Sequence, residues 1–323
     1  MIVISGFKPA WWLANPHAQT IYASFARKTT VLDTRSERLE LPDGDFVELV
    51  WFDCGLSSDA PLVILLHGLG GTASSQYIKA QMTSYKQWGW RSVVMNLRGA
   101  GSEPNRMLRS FHAGDTVDLN YFLHTLHARE PHTKKMGVGF SLGGNILLKW
   151  LGEHSAQELL SAAVAVSVPF QLSSVADRLN QGFSRLYQKH LLNGLRQHFL
   201  RKMQKNSNQD LLQKLRDCHC FWTFDNDITA PLNGFDSVHS YYRESSCKSY
   251  LRHISTPTLV LHALDDPFMT SDVVPSLAEL SPSISLELSQ HGGHVGFISG
   301  TVPGYPKFWL DDRIAEFLAM QVN

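Results

Sequence analysis

Six short apolar runs, each bounded by turn residues, constrain this fold more than any other feature of the chain. They are PLVILLH (61–67), RSVVMNL (91–97), KKMGVGF (134–140), AAVAVSV (162–168), PTLVLHA (257–263) and ISLEL (284–288). Most are continuous in Val, Ile and Leu rather than alternating with polar residues. That is how a strand reads when both of its faces are covered, as in a parallel sheet. Longer stretches between them predict helices over 74–88, 115–130, 144–154, 274–280 and 308–321. Strand and helix therefore alternate, and the fold class is α/β, a mostly parallel, doubly wound sheet with right-handed crossovers. Ahead of the runs, 38–41 and 46–52 flank Asp43-Gly44, a turn pair that predicts a hairpin.

Composition removes several classes of function. Of 323 residues 43% are hydrophobic, so a sizeable core is affordable and disorder is excluded. Lys plus Arg and Asp plus Glu are equal at 29 each, which argues against a nucleic-acid binder held by bulk positive charge. The four cysteines, Cys54, Cys218, Cys220 and Cys247, are too few and too scattered for a disulfide scaffold and read as reduced thiols. The first residues, MIVISGFKPAWWLANPH, lack the basic and apolar regions of a signal peptide, and no apolar stretch is long enough to span a bilayer. The expectation is a soluble cytoplasmic protein. Its parts are an N-terminal arm and hairpin (1–60), an α/β core (61–170 and 254–323) and a helical insertion (171–253).

Chemistry concentrates at 134–154. There KKMGVGF runs into Gly139-Phe140-Ser141-Leu142-Gly143, and GNILLKWLGEH continues as a helix. G-x-S-x-G alone is a weak pattern, but at a strand-to-helix junction it forms a nucleophile elbow. Small residues on either side of Ser141 let strand and helix approach, and the helix N-terminus favours developing negative charge. No Lys follows in G-K-[ST] form, so the turn is not a P-loop.

A serine hydroxyl needs a base, and the base needs an orienting acid. In this arrangement the chain order is Ser, then Asp or Glu, then His. The run at 257–263 ends in Leu264-Asp265-Asp266-Pro267, and the run at 284–288 leads into Ser289-Gln290-His291-Gly292-Gly293-His294. Asp266 precedes proline, which biases it to an extended conformation, so it is the preferred acid and Asp265 is assigned to the turn. His294 is the preferred base because its flanking glycines let the loop bend; His291 is the alternative. Oxyanion donors are expected from the Leu142 amide and from the Leu69 amide in the glycine-rich loop His67-Gly68-Leu69-Gly70-Gly71. His67 organises that loop or joins Arg98 and His112 in binding substrate. For the segment holding Asn96, Arg98, Arg106, His112 and Asp115, substrate binding and a salt-bridged brace for the sheet edge remain open.

Together these pieces resemble the α/β-hydrolase superfamily, in particular its YheT-like esterase branch. That branch is related to eukaryotic membrane-linked esterases, acyltransferases and phospholipases. The resemblance also rests on Phe7-Lys8-Pro9, Trp12-Leu13, Asn15-Pro16-His17 and Gln19-Thr20, on 96–119, on DDPF (265–268) and on GGHVGF (292–297). It implies a nucleophile at Ser141, an acid at Asp266 and a base at His294. It further implies ester or acyl chemistry with no metal or organic cofactor.

Between 171 and 253 the sheet pattern stops. From 178 to 216 there are nine Lys or Arg and one acid, Asp210, while Leu179, Phe183, Leu186, Leu191, Leu195, Phe199 and Met203 recur at helical spacing. The preferred reading is a lid whose apolar stripe closes onto an acyl pocket; the other is a basic amphipathic surface resting on an anionic membrane. The expected activity is hydrolysis of short- to medium-chain acyl esters through an acyl-enzyme. An acyltransferase using the same triad and a catalytically silent binding protein on the same fold are the alternatives. Oligomeric state is not legible.

Overall fold

The computed structural model describes residues 1–27, 31–203 and 208–322. The six runs become central strands: β4 (Leu62–Leu66), β5 (Arg91–Met95), β6 (Lys135–Phe140), β7 (Ala162–Val166), β8 (Thr258–Ala263) and β9 (Ile284–Ser289). They are flanked by β1 (Ile2–Ile4) at one edge and by β2 (Arg35–Glu40) and β3 (Phe46–Phe52) at the other. The sheet order is β1-β9-β8-β7-β6-β4-β5-β3-β2. All pairings are parallel except β2 with β3 and β3 with β5.

Two-sided burial has the expected cause. Leu62, Ile64 and Leu66 of β4 face one apolar layer with Leu119, Phe122, Ile146 and Trp150, while Val63 and Leu65 face another with Ile78, Tyr85, Ile314 and Leu318. The helices covering the two faces are α2 (Gln76–Gln87), α3 (Val117–Arg129), α4 (Leu142–Glu153) and a C-terminal helix, α9 (Trp309–Val322). The chain winds one way from β4 to β5 and the other way from β6 onward. The crevice at the ends of β4 and β6 is thus the place where a doubly wound sheet offers a ligand site.

Three elements differ from the sequence expectation. The helix expected over 274–280 is replaced by 3₁₀ turns at Ser271–Val273 and Leu277–Glu279, because Pro275 interrupts any longer helix. The arm at 1–60 adds β1, parallel to β9, and a helix, α1 (Pro16–Phe25). Asn15 caps α1 by accepting the amides of His17 and Ala18, and Pro16 sits in the first turn, where its missing N–H costs nothing. The hairpin forms as expected, with β2 starting earlier, at Arg35.

The insertion contains α5 (Leu172–Leu179), α6 (Ser184–Met203), α7 (Gln209–Asp217), short helical turns over 221–232 and α8 (Val238–Ser245). It has its own apolar cluster, including Leu192, Phe199, Leu211, Leu215 and Phe224. The stripe read from sequence divides. Leu179, Phe199 and Met203 are buried and Leu191 and Leu195 half-buried, but Phe183 and Leu186 remain exposed. Lys205, one of the nine cations, lies outside the described residues. Lys202 ties α6 to the body by donating to the carbonyls of Leu108 and Arg109 at 2.9 and 2.7 Å. Ser184 donates to the Pro267 carbonyl at 2.6 Å.

Candidate active site

One residue separates β6 from α4, and it is Ser141. Its backbone sits at φ 51°, ψ −117°, a conformation that costs a non-glycine residue on the order of 1–3 kcal/mol. The crowding that imposes it is visible in the neighbouring glycines. A Cβ on Gly139 would lie 2.5 Å from the Gly143 carbonyl oxygen, and one on Gly143 would collide with the Leu66 carbonyl. The Ser141 amide donates to Val166 O at 2.8 Å, which ties the turn to β7.

The Ser141 hydroxyl meets the ring of His294, with Oγ 3.0 Å from Nε2. The other ring nitrogen, Nδ1, lies 2.8 Å from Asp266 Oδ2. Asp266 is buried, and its second oxygen accepts the Phe268 amide at 2.8 Å. Asp265 turns the other way. It accepts the Gly293 amide at 2.9 Å and faces His291 Nδ1 at 3.2 Å. Adjacent carboxylates thus part at the end of β8, one to the ring of His294 and one to its loop. His291, the alternative base, pairs with Asp265 on the exposed side.

Several residues that sequence reasoning did not assign hold the His294 loop. Thr20 Oγ1 accepts the His294 amide at 2.9 Å, and Ser167 Oγ accepts the Val295 amide at 3.0 Å. Buried Gln19 donates to the carbonyls of Leu13 and Ile298 and accepts the Ile298 amide. The Phe268 ring stacks on the imidazole, with centroids 3.9 Å apart and planes 5° from parallel. Tyr187, from α6, packs on Phe268 at 4.9 Å, and its hydroxyl lies 3.1 Å from His17 Nδ1. The Asn15-Pro16-His17 and Gln19-Thr20 pattern was the available signal for this support. Nothing local tells that it reaches residues near the other end of the chain.

Opposite Ser141 runs the loop after β4. Here the Gly68 amide donates to the Tyr77 hydroxyl at 2.9 Å and the Gly71 amide to Gly68 O at 3.0 Å. The Leu69 amide has no acceptor among the described residues. The Leu142 amide opens α4, where the first N–H groups have no intrahelical partner.

The proposed substrate contacts fare differently. Arg98 is buried, with its guanidinium on Asp118, Asp43 and Asp45, so it braces the hairpin against α3 and does not line the cavity. His67 is likewise a brace. Its Nδ1 lies 2.8 Å from Gly68 O and its Nε2 accepts the Leu97 amide, while burial pushes its pKa down to about 4. His112 does line the cavity, edge-on to Phe235 and Tyr241, and burial pushes its pKa down to about 3. Among the described residues no group of three or more His, Cys, Asp or Glu side chains is placed to hold a metal ion.

A family model described as the alpha/beta hydrolase fold matches residues 61–301. The chain belongs to the α/β-hydrolase family. Within it, YheT of Escherichia coli (strain K12), an esterase by name, is 38% identical over 97% of this chain and 92% of its own. Human phospholipase ABHD3 is 28% identical over 100% of this chain and 80% of its own. A solved esterase, Pf2001 of Pyrococcus furiosus, superposes with a TM-score of 0.59 at 17% identity, covering 90% of this chain and 92% of that one, which reflects a shared fold.

In this α/β-hydrolase a cavity of about 640 Å³ opens over Ser141, a volume in the usual range for small-molecule sites. The insertion supplies much of its wall, including Leu179, Leu191, Leu195 and Phe199. At the mouth stand Ile21 and Phe25 of α1. Asp225 is a buried carboxyl in the wall, bonded by Thr229 and Tyr242, and burial pushes its pKa up to about 6.

Proposed function

We propose that this α/β-hydrolase cleaves carboxylic esters through an acyl-enzyme on Ser141. The observation that carries the reading is the unbroken line from Ser141 Oγ through both nitrogens of His294 to Asp266, at 3.0 and 2.8 Å. Ser141 attacks the acyl carbon while His294 takes its proton. Asp266 holds the ring in the required tautomer and balances the imidazolium. The oxyanion rests on the amides of Leu69 and Leu142. His294 then protonates the departing alcohol, the acyl group stays on Ser141, and a water activated by His294 releases the acid and restores the hydroxyl. The insertion serves as a lid that walls the acyl pocket off from bulk water while leaving room for the one water that hydrolyses the acyl-enzyme. Relatives named esterase, phospholipase and monoacylglycerol lipase support ester or lipid-like substrates. The apolar walls and the size of the cavity support acyl groups of short to medium length.

A fluorophosphonate probe tests the assignment. The wild-type chain is expected to label and to hydrolyse a short-chain aryl ester, with both lost in Ser141→Ala. An unlabelled, inactive wild type would refute the reading in favour of a silent binding protein.

A further inference from the structure

We infer that the rim of the cavity mouth docks on an anionic lipid surface, from which the substrate enters. The inference rests on the ester-hydrolase reading for the identity of the cavity. It adds the surface on which the enzyme works.

Two helices frame the mouth. Ile21 and Phe25 of α1 line the cavity yet are 39% and 83% exposed. They are four residues apart and so share one helix face. Phe183, just ahead of α6, and Leu186 within it are 47% and 57% exposed. The Phe183 ring lies 4.4 Å from that of His17, one helical turn before Ile21, and Leu186 follows Phe183 by three residues, so the start of α6 borders α1 beside the cavity. Single exposed apolar residues need no explanation, but a cluster around the entrance to an apolar cavity marks an interaction surface.

Charge identifies the occupant. The chain is neutral overall, yet α6 carries no acid and five cations; Arg196 and Lys202 are engaged by backbone carbonyls, which leaves Arg185, Lys189 and Arg201 exposed. α1 has no acid either. Arg185 and Lys189 are exposed on either side of Leu186 in the chain. A second copy docked here through a two-fold axis would bring like charges together. Acidic lipid headgroups pair with these cations while the apolar side chains enter the acyl boundary. The basic surface that the sequence offers as its second reading is here combined with a different apolar set. The stripe through Leu179, Phe199 and Met203 is spent on the core of the insertion, and the free apolar rim is shared between α1 and the start of α6.

The test is co-sedimentation with phosphatidylcholine vesicles, with and without phosphatidylglycerol. The wild-type chain is expected to bind the anionic vesicles and to be released by salt. Leu186→Glu should lose binding, and the double variant Arg185→Gln/Lys189→Gln should bind about thirtyfold more weakly. Both should hydrolyse a water-soluble short-chain ester at the wild-type rate. Failure of the wild type to bind, variants that bind as well as it does, or a solution dimer dissolved by Leu186→Glu would each overturn the docking inference. Vesicle binding by a chain that hydrolyses no ester would instead strike the ester-hydrolase reading and leave the surface standing.

Discussion

Asp265 and Asp266 share a peptide bond, and their side chains serve the same loop in different ways. Asp266 reaches the imidazole of His294, and Asp265 reaches the Gly293 amide and the outer histidine. Asp266→Asn should preserve the contact but favour the wrong tautomer, lowering kcat by up to about four orders of magnitude. Asp265→Asn should cost on the order of tenfold, because it loosens a loop without touching the reacting ring. Steady-state kinetics on one soluble ester separates them, and equal losses would refute the division of roles. Thr20 offers a finer test. Thr20→Val keeps the shape but strands the His294 amide, an unpaired group worth about 1–3 kcal/mol. Because the amide positions the ring rather than the substrate, kcat should fall about tenfold or more with KM unchanged. A rise in KM alone would place Thr20 at the substrate instead.

Among the elements, the junction of β6 with α4 carries the tightest constraint. Gly143 packs on the carbonyls at the end of β4, so a methyl group there has nowhere to go. Gly143→Ala should destabilise the fold by on the order of 3 kcal/mol in denaturant titration, with loss of probe labelling at Ser141. An unchanged midpoint would mean that α4 can lift away from β4 at little cost. The insertion is anchored at both ends of α6, by Ser184 on Pro267 and by Lys202 on the 108–109 carbonyls. Tyr187 lies between them, and through its packing on Phe268 the same helix reaches the imidazole of His294. α6 therefore both closes the cavity and backs the proposed base.

Over the whole molecule, desolvated histidines weigh against the fold in acid. His67, His198 and His262 are pushed down to about 4 and His112 to about 3, in each case chiefly by burial. In the fold they stay neutral, whereas unfolded they take up protons near the ordinary histidine value of 6.5. Their contribution to stability is thus complete above about pH 6.5 and is lost as the pH falls toward 4. Urea midpoints measured from pH 7 to 4.5 should drop steeply, and a flat series would contradict the neutral buried state.

At every scale, what was legible had a local physical signature. Continuous Val, Ile and Leu runs announce strands covered on both faces, and turn residues at their ends mark where Ser141, Asp266 and His294 stand. Arg98 and His67 were polar residues beside those ends, and only their buried partners show them to be braces. α1 is short and weakly patterned, and its value lies in Thr20 and Gln19 meeting a loop from the far end of the chain. Phe183 and Leu186 obey the same helical spacing as Leu179 and Phe199, but only packing against the other helices decides which are covered. The amino-acid sequence alone determined the six central strands, most of the helices that flank them and the strand ends where polar groups converge, because burial and backbone geometry act on neighbours along the chain. Which side chain turns toward the site, which one braces it and which stays in water was decided by the tertiary structure, because those outcomes depend on contacts between residues that the chain itself keeps far apart.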